Sequence, residues 1–577
     1  MKRRLWATAI LAVFAIFAVA CGDDKEETPS GQTTGTPAPT TTLTPVAGGT
    51  ITMGTFSETA GLDPIVSSGN GVTGYIEMAT IYDTIVRYNT ETGKYDNNFA
   101  ESVTANADST EWTVKLKSGI KFSDGTAYDA EAVKFGMNRH RSGTTGAPAC
   151  AELYACPRNS TSSAAYMGIV KSIDVVDPLT VKFTLSEPWT SFPYALSAEA
   201  SMIPSPTAMK KCDPTKDVRQ CDFNIKPVGA GPFTIGSFKA KDSITVVKNP
   251  AYFGGTVYLD GITFVNSIND AGGAATLNAL NANTLQMAFL RDPATVAAAH
   301  DKKYGGVSTM EQAGGIFLIN TGVSVTCAAQ KPEPLCVGKP DGPTPTNPPT
   351  KDLKVRQALA AAIDNKVLND RGYSGKGLIG SELLQSDFRW SPGVTGPKYD
   401  LAKAKQLVTE AKAAGWDGKM RLLYNTSPTA QAIGLAAQTM LQAAGIDASL
   451  DVGKDTTAQI NQVIVLRDFD VTGWGIAISP DDGALWGLTQ NLLSTSSSNR
   501  IGYKSTAVDN ALKALRIAKT DDEKKALYKT IAENIANDIP VLPFAKIEEF
   551  IAWNSKVHGV RQVNRSGVLF DKAWIEK

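Results

Sequence analysis

Six of the seven cysteines fall as close neighbours: Cys150 with Cys156, Cys212 with Cys221, and Cys327 with Cys336. Thiols at such separations either cross-link locally or hold a metal ion. None of the pairs has the CxxC spacing of a zinc or redox motif, and His140, His300 and His558 are the only histidines. Six cysteines can pair in many ways, and proximity favours three local disulfides, which implies an oxidising, extracytoplasmic compartment. The same scarcity of histidine makes a metal centre or histidine-dependent catalysis a poor expectation. Glycoside hydrolysis needs two carboxylates flanking one bond. Asp481, Asp482 and Glu410 offer acids, but neighbours in sequence point apart and no spacing singles out a pair. These residues single out no metal site and no catalytic pair, so no metal and no cofactor is expected.

The chain that must position these groups has 577 residues, enough for about three or four domains at roughly 150 residues each. Its 57 Lys and Arg balance 57 Asp and Glu, so the net charge is zero, which argues against a phosphate-tracking surface and against nucleic acid as a partner. The composition, 42% apolar and 20% charged, is that of a globular protein, and no apolar run after residue 21 is long enough to span a membrane.

The N-terminus carries an address. Lys2, Arg3 and Arg4 precede an apolar run from Leu5 to Ala20, too short for a span and right for a signal peptide over 1–20. The run ends Ala18-Val19-Ala20-Cys21-Gly22, which resembles the lipobox of bacterial lipoproteins except that Leu is commoner at the position of Ala18. That resemblance implies a lipid on Cys21. Residues 21–47 contain Asp23 to Glu27 and then a Thr- and Pro-rich stretch without aromatics, which cannot bury enough apolar surface to order itself and reads as a tether.

Beyond the tether, strand and helix patterns alternate. Trp112 to Leu116 alternates apolar and polar residues, and Ile173–Val176 with Val181–Leu185 flank the turn signal Asp177-Pro178. Pro232–Phe238 and Ile244–Val247 form a second pair. Helices follow: one capped by Asp352 with Val355, Leu359, Ala362 and Ile363 on one face; one capped by Asp400 and stopped by Gly415; one carrying Ile433, Ala437 and Met440 and ending at Gly445; and one opened by the box Thr520-x-x-Glu523. The pattern is α/β. The Pro-rich stretch Lys331 to Thr350 is expected to be a surface loop held by Cys327–Cys336.

Leu116-Lys-Ser-Gly-Ile-Lys-Phe-Ser-Asp-Gly-Thr-Ala-Tyr-Asp-Ala-Glu-Ala-Val-Lys-Phe135 resembles the signature of the family 5 extracytoplasmic solute-binding proteins of peptide and nickel ABC importers. Asp124-Gly125 suits a tight turn, and Asp129 with Glu131 suits a helix N-terminus. Further segments are similar to the family in the same order: Gly229-Ala-Gly-Pro-Phe233 with Lys248-Asn-Pro-Ala-Tyr252, Val355 to Asp364, Tyr399 to Leu407 with Gly415-Trp416, Met440 to Ile446, and Ile539-Pro-Val-Leu-Pro-Phe544. The resemblance implies a two-lobed periplasmic-binding-protein-like fold of type II, cluster C, with an extra subdomain. Lobe I would cover 48–295 with the insert near 76–165, lobe II 296–538, and 539–577 would return to lobe I. Ligand would sit between the lobes, and the expected partners are a peptide or other small solute and a membrane ABC permease with its ATPase, engaged by a lipid-anchored monomer.

The resemblance also implies ligand-binding residues. In peptide-binding members a Trp of the second lobe is followed three residues later by an Asp that pairs with the peptide amino terminus. Here Trp474-Gly475-Ile476-Ala477 reproduces the approach with Ala477 in place of the acid, and Asp481 is the nearest candidate substitute. Ser57, Glu58 and Thr59 match a loop that reaches the cleft in relatives, and Arg389-Trp390 a place where relatives carry an Arg or aromatic near ligand. The alternatives are a non-peptide solute, such as an oligosaccharide or opine-like compound, and a signalling role in place of import.

Overall fold

The computed structural model describes residues 43–66, 74–142, 147–156, 163–266, 268, 270, 272–478, 482–496, 498–563 and 567–577. The signal peptide, Cys21 and nearly all of the tether lie outside the described residues, as does Asp481. Contacts divide the chain into Met1–Thr44 and Pro45–Lys577, and every element below belongs to the second unit.

The signature segment folds as its residue types require. Strand Glu111–Leu116 turns its alternate residues Trp112, Val114 and Leu116 into the core. Gly125 then takes φ +84°, a conformation that costs a residue with a Cβ, while Asp124 accepts hydrogen bonds from Thr126 N (3.0 Å) and Ser205 Oγ (2.7 Å). Asp129 caps helix Ala130–Arg141 by accepting from Ala132 N at 2.9 Å. Ser123 N donates to Gly229 O at 2.9 Å, tying this turn to the Gly-rich hairpin. Gly229 and Gly231 lie so close to Ile81 that a Cβ would stand 2.2 Å from its carbonyl oxygen at the first and 2.7 Å from its carbonyl group at the second.

The helices start where the sequence expects. Asp352 caps Leu353–Ala362, Asp400 caps Leu401–Ala413, and Thr520 forms a complete capping box with Glu523 at Asp521–Asp538. Three disulfides close Cys150–Cys156, Cys212–Cys221 and Cys327–Cys336. The last staples a Pro-rich segment that is more ordered than a loop, since Gly342–Pro345 returns as a strand against Ser324–Cys327.

The architecture is the two-lobed α/β fold with an added subdomain. An eleven-stranded sheet runs, edge to edge, through 447–454, 419–425, 471–476, 305–319, 541–553, 287–290, 50–54, 261–265, 243–248 and 233–239, with Leu378–Ile379 attached to 541–553. Its two halves are joined by Gly305–Ile319 and Val541–Trp553, which pair antiparallel over most of their length. In one half Gly305–Glu311 face Trp553–Ile547, and in the other Gly315–Leu318 face Ala545–Val541; the register slips between Glu311 and Ile316. Bulges there bend the strand pair where it passes from lobe to lobe. Gly314 and Gly315 permit the bend, because a Cβ would lie 2.6 Å from Ile547 Cγ1 at the first and 3.0 Å from the Phe544 ring at the second.

The added subdomain is the four-stranded antiparallel sheet 100–105, 111–116, 180–185 and 170–177. Its buried face, including Val114, Val181 and Phe183, belongs to the same apolar cluster as Leu485, Trp486 and Leu488 of helix Gly483–Leu492.

Candidate functional site

In open α/β sheets, ligands lie beyond the carboxyl ends of parallel strands. In lobe II the parallel strands are Lys419–Asn425, Asp447–Lys454 and Val471–Ile476. The last ends at the expected wall: Trp474 opposes Ile316 and Ile476 opposes Ala313 on the linking strand, which brings residues 474–477 beside the inter-lobe bend. Trp474 and Gly475 are half-buried, Ile476 is buried, and Ala477 is exposed.

Small residues set this wall. A Cβ on Gly475 would lie 2.9 Å from Gly314 O, and one on Gly473 2.2 Å from the Tyr424 ring. Helix Gly483–Leu492 presses on the backbone from outside, where a Cβ on Gly487 would fall 1.9 Å from Ala477 O.

Helix Gly483–Leu492 also reaches across to the added subdomain. Trp486 is buried edge-on to Trp189 (4.8 Å between rings) and Tyr166 (6.0 Å). Arg516 lies over the Trp486 ring at 5.6 Å and pairs with Glu187, and its carbonyl accepts from Thr190 N at 2.8 Å. Beside them Asp482 accepts from Tyr95 Oη (3.2 Å) and from Lys524 Nζ (2.8 Å). These contacts hold the subdomain and lobe II together around the space that residues 474–477 border.

Trp474 carries a cation on its face. The Arg500 guanidinium stands 5.6 Å from the ring centre. Its Nε is buried and has no hydrogen-bond partner among the described residues. Burial, reinforced by the nearby Arg467, holds its pKa down to about 10.

The other expected residues are engaged as follows. Glu58 is exposed and accepts from Lys241 N, in a distant turn of the same lobe, at 2.7 Å, and buried Thr59 donates to Gly61 O within its own turn at 2.7 Å. Ser57 is half-buried next to Phe56, whose ring meets Phe289 edge-on and lies under Arg291. Arg389 is exposed and reaches Asp521 at 3.3 Å. Trp390 is buried, stacked on Tyr528 and donating through Nε1 to Asp521 Oδ1 at 2.8 Å. That indole bond, with Arg389 adding to it, keeps the Asp521 carboxyl below its usual range. Arg389 still reaches the turn of the hairpin Val86–Asn89 and Lys94–Asn97, since a Cβ on Gly93 would stand 2.6 Å from its Nη1.

Sequence reasoning passed over Arg500, Trp486, Trp189 and Arg516. Trp486 carries the periodicity of an ordinary core helix, and Arg500 follows a Ser-rich stretch that reads as exposed loop.

A separate cavity of about 610 Å3 opens at the opposite, amino-terminal ends of the lobe II strands, among Asn320, Trp416, Arg421, Arg467 and Asp470. Arg421 spans it to Asp468 (2.7 Å) and Asp470 (3.0 Å), so its principal charges already satisfy one another. Among the described residues no cluster of three or more His, Cys, Asp or Glu side chains could hold a metal ion.

Comparison with known proteins gives a consistent set of likenesses. The family model described as bacterial extracellular solute-binding proteins, family 5 Middle, matches residues 94–495. The glutathione-binding protein GsiB of Salmonella paratyphi A is 27% identical over 492 residues, covering 83% of this chain and 86% of the relative. The oligopeptide-binding protein AppA of Bacillus subtilis, solved with a nonapeptide, superposes with a TM-score of 0.73 at 21% identity, over 92% of this chain and all of AppA. AgaA of A. tumefaciens R10, solved with agropinic acid, gives 0.68 at 22% identity, over 92% and 99% of the two chains.

Proposed function

Since the chain belongs to the bacterial extracellular solute-binding proteins of family 5, we propose that it captures a peptide or peptide-like solute between its lobes and delivers it to the permease and ATPase of an ABC importer. The observation that carries this reading is the wall Trp474–Ala477, which lies at the carboxyl end of a parallel strand beside the bend linking the lobes. An aromatic at such a wall contributes large contact area at small entropic cost. Closure around the strand pair would exclude water and change the surface offered to a membrane partner, with no bond made or broken. The glutathione-binding relative supports a short peptide as the cargo class.

Ala477 favours a ligand without a free ammonium at the usual place, because a buried ammonium needs a counter-charge. This keeps a second reading open, a non-peptide solute such as the opine-type compound bound by AgaA. Native mass spectrometry of the protein as purified, followed by thermal-shift screening against peptides, sugars and opine-like acids, tests the two readings together. Stabilisation by peptides supports the first. Stabilisation by sugars or opines without any peptide overturns it.

The same proposal places the mature protein outside the cytoplasmic membrane as a monomer held by lipid on Cys21. Substituting Cys21→Ser should release it from the membrane fraction, and a variant that stays membrane-bound sinks the anchor.

A further inference from the structure

A guanidinium removed from water normally has an anion beside it, because the desolvation cost is otherwise unmatched. Other Arg side chains of lobe II have acids beside them: Arg389 meets Asp521, Arg421 meets Asp468 and Asp470, and Arg516 meets Glu187. Arg500 departs from this pattern. Its Cζ lies 5.6 Å over the Trp474 ring and its Nε is buried without a partner. None of the ion pairs among the described residues includes it, and the charged group that bears on it is a second cation, Arg467, whose Nη1 donates to Asn499 O at 3.2 Å.

The chain holds Arg500 there firmly. Asn499 Nδ2 donates to Tyr503 O (2.8 Å), its Oδ1 accepts from Gly502 N (3.0 Å), and Thr321 N donates to Ile501 O (2.8 Å). Those bonds pin the short segment to the end of the linking strand, with the Arg500 side chain reaching Trp474. The Trp474 face supplies cation–π attraction, which is weaker than the cost of taking a guanidinium out of water. An incoming anion would complete the site.

We propose that Arg500 is the anion-recognition residue of the cleft, and that the ligand presents a carboxylate to it beside the Trp474 ring. This deepens the solute-binding reading and rests on it. A planar carboxylate suits the fork of a guanidinium, which offers parallel N–H donors in a fixed geometry.

Isothermal titration of the full chain against matched pairs tests this. The probes are glutathione, trialanine and Met-Leu as free acids and as C-terminal amides, and sugar acids with their methyl esters. The wild type should bind at least one acid ten-fold or more tightly than its neutral partner. Arg500→Met should bring the two within about two-fold, and Arg500→Lys should restore part of the preference. An unaltered melting temperature without ligand shows that the variants are folded. The assignment is overturned if no acid is preferred, or if Arg500→Met keeps the preference. Sugar acids that bind through Arg500 while no peptide binds would sink the peptide reading and leave the anion site standing. Peptides that bind equally as acids and amides would do the reverse, and a panel without any binder overturns both.

Discussion

Arg139 donates to Asp63 through both terminal nitrogens, Nη1 to Oδ1 at 2.8 Å and Nη2 to Oδ2 at 2.7 Å, with both side chains almost wholly removed from solvent. Arg139 also donates to the carbonyls of Leu153 and Tyr154, each at 3.0 Å. One guanidinium thus joins the loop after the first strand, the signature helix and the loop closed by Cys150–Cys156. Breaking one side of such a buried pair leaves the other charge stranded, whereas replacing both can be nearly neutral. Arg139→Met should therefore lower stability by about 3–5 kcal/mol, and adding Asp63→Leu should recover most of it. Thermal melts of the two variants check this; a single variant as stable as wild type contradicts it.

Gly487 lets helix Gly483–Leu492 lie against the backbone of the proposed wall, where an added Cβ would stand 1.9 Å from Ala477 O. Gly487→Ala should push the wall or the helix aside and weaken ligand binding ten-fold or more while the chain still folds. Titration with whichever solute the wild type binds reads this out, and an unchanged affinity removes residues 474–477 from the site.

Glu77 sits on helix Tyr75–Tyr82 inside lobe I with Oε1 lacking a partner among the described residues. Burial raises its pKa to about 7, against a smaller opposing effect of a backbone hydrogen bond. Between the ordinary value of 4.5 and about 7, the unfolded chain releases this proton and the folded chain keeps it. The folded state then binds more protons, so stability falls as pH rises through that window and levels off above it. At about 1.4 kcal/mol per pH unit the loss is on the order of 3–4 kcal/mol. Glu77→Gln should remove this slope and melt higher than wild type at pH 8, with the two converging near pH 4.5. Parallel melting curves across the window would disprove the assignment.

Cys327–Cys336 staples the base of the hairpin formed by Ser324–Cys327 and Gly342–Pro345. Closing a loop of this size contributes roughly 2–3 kcal/mol to the segment. Cys327→Ala with Cys336→Ala should open residues 328–341 to limited proteolysis without changing ligand affinity, since the hairpin does not include the wall at Trp474. Equal resistance to proteolysis with and without the disulfide would show that the prolines alone hold it.

Local rules made much of the scaffold legible in the chain itself. A cap needs only an acidic or hydroxyl side chain and the backbone N–H groups that follow it, so Asp129, Asp352, Asp400 and Thr520 could be recognised from their own neighbourhoods. The disulfides were legible for the same reason, because each pair is close in sequence. The Pro-rich segment was only half legible: its staple was expected, while its returning strand depends on pairing that proline content argues against.

The sequence by itself determined the α/β pattern, the caps, the staples and the order of motifs that mark the two-lobed fold, since each depends on residues a few positions apart. Long-range packing decides which of several like residues find partners and which do not. Trp390 and Trp474 look alike along the chain, yet one is buried against Tyr528 and the other faces Arg500. Arg389 and Arg500 are likewise indistinguishable as residues, and what separates them is whether folding brings an acid within reach. Asp521 lies 132 positions from Arg389 and meets it, while no carboxylate among the described residues pairs with Arg500. Burial and counter-charge are properties of long-range contacts, and no local pattern encodes them.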